Sequence, residues 1–130
     1  MSTRSLIAAQ LEDGSFVSTY CHFDGYISGV GSTLYHNFND AESAYEIADM
    51  GYLSSLYPDL SENTLADNHA NHDDPVYYPS LDDLVSEAKN GIDYVYVWDN
   101  DLDAWTVYYT DGHLNMITQV LDSSVCAQPE

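Results

Sequence analysis

Positive charge is what this chain has least of: its 130 residues include 2 Lys+Arg against 22 Asp+Glu, a formal net charge of −20. Arg4 and Lys89 alone cannot form a basic patch, so binding to nucleic acid or to an anionic membrane by that route is excluded. Cysteine is scarce as well. Cys21 and Cys126 do not make a disulfide scaffold, and without an export signal both read as reduced thiols. No stretch approaches the ~20 apolar residues that a membrane-crossing helix needs. The start, MSTRSLIAAQLEDGS, has too short an apolar run before Glu12 and Asp13 to read as a signal peptide, so a cytoplasmic location is expected. A phosphate-cradling loop is also missing, because Gly29-Val30-Gly31 is too short and has no lysine. No cofactor is expected.

Apolar material is plentiful. Hydrophobic residues make up 45% of the chain and aromatics 13%, which separates it from acidic disordered tails that cannot offset their ordering entropy. The length suits a single domain over residues 1–130.

Two β-prone runs, 4–11 (RSLIAAQL) and 16–23 (FVSTYCHF), flank the turn EDGS and predict a hairpin. A short helix is expected between Gly29 and Phe38, carrying Val30, Leu34 and Phe38 at i, i+4, i+8. A second helix is expected over 40–50, capped by Asn39 or Asp40 and ended by Gly51, with Ala44, Ile47, Ala48 and Met50 inward. Its other side carries Glu42, Glu46 and Asp49, like charges at a spacing that destabilises a helix. Residues 57–80 lack periodicity and read as a long loop. Ser80 then caps a helix over 81–90 with Leu81, Leu84, Val85 and Ala88 inward, ended by Gly91. IDYVYVW (92–98), the turn DNDLD and AWTVYYT (104–110) predict a second hairpin. Residues 113–125 suit a strand or a helix equally. The expected fold is α+β: a mainly antiparallel sheet of two hairpins, about four to five strands, with two to three helices on one face.

The segment YCHFDGYISGVGSTLYHNF (20–38), followed by GYLSSL (51–56), resembles a family of small, functionally uncharacterised phage and prophage proteins. That family carries a Tyr-Cys-His-aromatic-Asp-Gly-Tyr motif, a Gly-Val-Gly helix start and a later Gly-x-Leu-Ser-Ser-Leu segment. TRSLIAAQLEDGS and DYVYVW…W match it too, so the resemblance covers most of the chain. It implies a phage-encoded protein acting in a host cytoplasm. Where the family has a basic Arg-Asp-Arg-Gly-Glu-like segment, this chain has LADNHANHDDP (65–75), and its 40–50 helix has no base. A role resting on those arginines does not transfer.

Three constellations could carry chemistry. Cys21, His22 and Asp24 supply a thiol, an imidazole and a carboxylate within four residues. Neighbours in a strand point to opposite faces, however, which favours a packed cysteine and a turn over a catalytic dyad. His69 and His72, with Asp67, Asp73 and Asp74, have the spacing of a divalent-metal cluster, set against the plainer reading of a solvated acidic loop. Asp99, Asp101 and Asp103 match positions 1, 3 and 5 of a calcium loop. Ala104 replaces its glycine and Thr110 its bidentate glutamate, so an EF-hand is rejected in favour of an acidic turn. The tyrosines are best read as strand packing partners, with a surface subset suited to an interface.

The acids are unevenly spread. Residues 1–58 hold seven, 59–103 twelve and 104–130 three. Such a surface attracts basic grooves and can occlude a DNA-binding site. The leading expectation is therefore a non-enzymatic, DNA-mimicking inhibitor of a basic host DNA-binding or defence protein. Its partner-binding candidates are Asp73, Asp74, Asp82, Asp83, Glu87, Asp99, Asp101, Asp103, Glu42, Glu46 and Asp49. Two alternatives remain open: acidity that serves solubility in a saline cytoplasm, and a small Cys/His or metal-dependent enzyme. The oligomeric state is open too, a dimer included.

Overall fold

The computed structural model describes residues 3–63, 74–112 and 115–127. Strands β1 (Ser5–Gln10) and β2 (Phe16–Cys21) form the first hairpin, in register from Ser5 opposite Cys21 to Gln10 opposite Phe16. The Asp13 carboxylate closes its turn by accepting from the Ser15 amide at 3.0 Å and the Ser15 hydroxyl at 2.6 Å. Strands β5 (Tyr94–Asp99) and β6 (Ala104–Thr110) form the second hairpin. Both are where local turn chemistry and β-propensity place them.

The sheet they belong to is larger than the sequence suggests, and it is mixed. Six of its seven strands run in the order β3 (Tyr52–Leu53), β2, β1, β5, β6, β7 (Met116–Val120), with β4 (Val76–Tyr78) paired to β2 off this path. Strand β3 pairs parallel to β2, and β1 pairs parallel to β5. The expectation of about four to five strands is corrected to seven; antiparallel pairing predominates as expected, in four of the six pairings, but two parallel ones make the sheet mixed. Strand β1 explains why: Ser5 through Ala9 are all buried, so it reads SLIAA without alternation, the pattern of a strand covered on both faces.

The helices cover both faces, not one. On one side, a π-helical turn (Ile27–Gly31), α1 (Ser32–Asn37), α2 (Ala41–Ala48) and α5 (Ser123–Cys126) pack on a large core containing Ile7, Val17, Tyr96, Trp98 and Trp105. On the other, α4 (Leu81–Val85) and a 3₁₀ turn (Ser86–Lys89) place Leu84 and Ala88 against Leu6, Ala8, Phe16, Val95 and Val97. The α+β class holds. Val30, Leu34 and Phe38 are buried together, as their spacing predicts. Helix α2 starts on Asp40, whose carboxylate accepts from the Ser43 amide at 2.8 Å, and Gly51 follows it at φ 89°. Ser80 caps α4 by accepting from the Asp83 amide at 3.2 Å. Leu81 and Val85 depart from expectation by staying out of the core, because the α4 helix tightens after one turn and keeps only Leu84 and Ala88 on the sheet.

Both ends of the 57–80 stretch are regular: α3 (Leu60–Asn63) and β4 (Val76–Tyr78) lie within it, while 64–73 fall outside the described residues. Asn63 is fully buried, accepting from the Tyr57 amide at 2.8 Å and donating to the Tyr57 carbonyl at 2.9 Å. The final segment resolves into β7 (Met116–Val120) followed by α5, so it holds both a strand and a helix. Thr19 ties α2 to the sheet: its buried hydroxyl donates to the Ile47 carbonyl at 2.8 Å and accepts from the Gly51 amide at 2.9 Å. Among the described residues no helix is long and apolar enough to cross a membrane.

Candidate functional site

The Tyr-Cys-His-Phe-Asp-Gly-Tyr segment folds into a structural joint. Cys21 is buried in the larger core, and burial pushes its thiol up to about 12, far from a thiolate at neutral pH. His22 is directed elsewhere, with its Nδ1 2.7 Å from the Tyr20 hydroxyl. The pair is therefore not a nucleophile and its base. Asp24 takes a left-handed conformation, φ 58°, and accepts from the Tyr26 hydroxyl at 3.2 Å. At Gly25, an added Cβ would stand 2.7 Å from the Thr3 carbonyl oxygen, so only glycine lets the chain pass this close to the start of β1. The Gly25 amide donates to that carbonyl at 2.9 Å, and its own carbonyl accepts from the buried Tyr96 hydroxyl at 2.7 Å. These contacts join the end of β2, the start of β1 and the middle of β5. Tyr96 and Thr19 are structural residues that sequence reading missed; a tyrosine in a strand gives no sign that its hydroxyl anchors a distant glycine.

His69, His72, Asp67 and Asp73, the core of the candidate metal cluster, lie outside the described residues. Among the described residues no three His, Cys, Asp or Glu side chains are grouped to hold a metal ion. The 99–103 turn is an Asx turn, in which Asp99 Oδ1 accepts from the amides of Asp101 at 2.9 Å and Leu102 at 3.2 Å. Asp103 adopts φ 53° within it.

Topology groups the acids in a way the sequence does not show. Because β1 and β5 are parallel, their C-terminal ends lie side by side, and so do the turns that follow them. Glu12 and Asp13 therefore share one end of the sheet with Asp99, Asp101 and Asp103. Helix α4 begins at this end too: Pro79, Ser80 and Leu81 line a cleft together with Gln10, Asp99 and Asp101, which brings Asp82 and Asp83 to the same region. Both bases lie at the opposite end, together with the exposed Asp24, Asp93 and Asp111. Arg4 leads into β1, where its backbone pairs with Asp93 and Tyr94, and Lys89 closes the 3₁₀ turn that leads back into β5. Asp74 is exposed ahead of β4, and Glu87 is half-buried, accepting from the Tyr78 hydroxyl at 3.0 Å.

The remaining candidates are not part of one continuous face. Glu42, Glu46 and Asp49 are exposed on α2, which packs on the opposite side of the sheet from α4. The two sides meet at the first turn, where Tyr45 of α2 lines a shallow depression with Glu12 and Asp13.

The cleft at the acidic end has a volume of about 420 Å³. Phe16, Leu81 and Val97 supply apolar wall, Tyr108 stands half-buried beside Asp99, and Thr106 forms the floor. Burial, with a smaller push from the Asp99 carboxylate, raises the Tyr108 phenol above its ordinary value. Thr106 is 4% exposed, and its hydroxyl has no hydrogen-bond partner. Trp98 also has an unpartnered buried Nε1, but its ring packs edge-on against Trp105 in the other core. No protein-family model, curated protein or solved structure matches this chain.

Proposed function

We propose that this chain is a binding protein whose acidic end docks on the basic, DNA-contacting surface of a partner protein, acting as a DNA mimic. The observation that carries this reading is the uneven charge along the sheet: two acidic turns and the acidic first turn of α4 at one end, and at the other Arg4 and Lys89 among Asp24, Asp93 and Asp111. A uniformly negative surface would repel or attract without orientation. A polarised one turns its acidic end toward a positive groove and speeds encounter. The resemblance to small phage proteins supports a host DNA-binding or defence factor as the partner, met in the host cytoplasm. The joint around Cys21 supports a role without covalent chemistry.

The test is competition between this protein and duplex DNA for a purified basic DNA-binding protein, across a salt series. Binding should weaken steeply as salt rises, and Asp82→Asn/Asp83→Asn/Asp101→Asn should weaken it at least tenfold. Glu42→Gln/Glu46→Gln, on the opposite face, should leave it within twofold. Failure to compete at low salt, or equal losses in both variants, would refute docking by this end.

The placement of Glu42, Glu46 and Asp49 across the sheet favours a second reading, acidity as adaptation to a saline cytoplasm. Thermal melts against KCl separate the two: salt adaptation requires unfolding at low salt, whereas a mimic stays folded there.

A further inference from the structure

The cleft at the acidic end pairs two features that seldom occur together: an acidic rim, and a buried polar floor with an unmet hydrogen-bonding capacity. On β6, Trp105 and Val107 belong to the larger core, so Thr106 between them faces the opposite side, with Val97 and Tyr108, where the cleft opens. Its hydroxyl is buried and unpartnered. Above it, Asp99 is held in a fixed orientation because the amides of Asp101 and Leu102 donate to its Oδ1. We infer that this cleft receives the side chain of an arginine presented by the basic partner, with the alkyl stem against Phe16, Leu81 and Val97 and the guanidinium between Asp99, Asp101, the Tyr108 ring and the Thr106 hydroxyl.

The chemistry of the walls selects this occupant. A metal ion would want several oxygen ligands close together, and among the described residues no three Asp, Glu, His or Cys side chains are grouped to hold one. An anion is repelled by the rim. A guanidinium is planar and weakly hydrated; it pairs with carboxylates through two N–H donors and stacks on aromatic faces, matching a carboxylate–tyrosine rim. The Thr106 oxygen accepts one further N–H. At about 420 Å³ the cleft falls within the size range of small-ligand sites and holds one extended side chain. The inference rests on the docking reading above and sharpens it: the acids supply attraction, and the cleft supplies a specific anchor.

The probe is Nα-acetyl-arginine methylamide, titrated into the whole protein at low salt and followed by NMR, with the citrulline analogue as its neutral isostere. Saturable shifts should centre on Val97, Thr106 and Tyr108, and the citrulline compound should bind at least tenfold more weakly. Asp99→Asn/Asp101→Asn should weaken arginine binding at least tenfold, and Thr106→Val several-fold with the fold intact. Glu42→Gln/Glu46→Gln, across the sheet from the cleft, should change it by less than twofold. Equal binding of the citrulline compound, or shifts spread over every acidic turn with Thr106→Val silent, would overturn the proposal. Its failure is distinguishable from failure of the docking reading. Asp99→Asn/Asp101→Asn and Thr106→Val variants that compete with DNA for the basic protein as before would leave docking standing without the anchor. A cleft that binds the arginine probe while no basic protein is displaced from DNA would leave the cleft without the mimicry.

Discussion

Thr19 and Thr106 are both buried strand threonines, yet replacing each by valine should move stability in opposite directions. The Thr19 hydroxyl satisfies two buried backbone groups, the Ile47 carbonyl at 2.8 Å and the Gly51 amide at 2.9 Å. Valine fills the same space and suits a strand equally well, so the loss is confined to those two bonds. A buried backbone group left unpaired costs about 1–3 kcal/mol, and partial relaxation around the end of α2 lowers the total for two to about 2–4 kcal/mol. Thr106→Val removes a hydroxyl with no partner, so it relieves a desolvation penalty and should stabilise by about 1 kcal/mol. For 130 residues, 1 kcal/mol corresponds to about 4 °C in Tm. Thr19→Val should therefore melt about 8–16 °C lower and Thr106→Val about 4 °C higher, by the same conversion. Urea denaturation at one fixed salt concentration, with unchanged m-values, gives the free energies while holding charge repulsion constant. A loss from Thr106→Val comparable to that from Thr19→Val would show that the Thr106 hydroxyl has a partner, and would remove the floor from the cleft argument. A gain in stability with a loss of arginine binding is the signature of a group retained for function at the expense of the fold.

Gly25→Ala should destabilise by about 1–3 kcal/mol in the same urea assay, because the new methyl meets the Thr3 carbonyl and the Arg4 backbone, neither of which can swing aside. An unchanged midpoint would mean that β1 is free to shift. Stability should also fall in alkali. Cys21 is raised by burial to about 12, and Tyr78 to about 12 by burial and by its bond to Glu87. Both folded values lie above the unfolded ones, so this contribution is whole below about pH 9 and is lost as pH rises towards 12. Urea midpoints from pH 8 to 11.5 should decline, more gently in Tyr78→Phe; a flat profile would contradict both assignments. Finally, Cys21 should react with a thiol reagent only as fast as the protein unfolds, so its rate should rise with urea and match the unfolding kinetics. Immediate reaction in the native state would reopen a nucleophilic role.

What was legible in the sequence was local. The caps at Asp40 and Ser80, the glycines after α2 and α4, and both hairpins depend on contacts within a few residues, and each lies where residue chemistry places it. The strand period also separates Cys21 from His22 correctly, since alternation is a property of the strand alone. Asn63, Thr19 and Tyr96 escaped because their partners are distant in sequence or in backbone that carries no signature; Tyr96 reaches Gly25 across 71 positions. The unbroken apolar run of β1 is a signal of cover on both faces that the one-faced expectation overlooked, and it carries no sign of which strand lies beside it.

By itself, then, the sequence determined the class of fold, the local ends of its elements and the size of the charge, because these follow from propensities and short-range hydrogen bonds. Only the tertiary structure decided where that charge goes. An antiparallel neighbour for β1 on the β5 side would have sent the 99–103 turn to the opposite end from Glu12 and Asp13. The parallel pairing, selected by burial of Leu6, Ala8, Val95 and Val97 under α4 on one face and of Ile7, Ala9, Tyr96 and Trp98 on the other, sets the acidic turns together and the two bases far from them. Strand direction across a sheet depends on packing between segments some ninety residues apart, which no local pattern encodes.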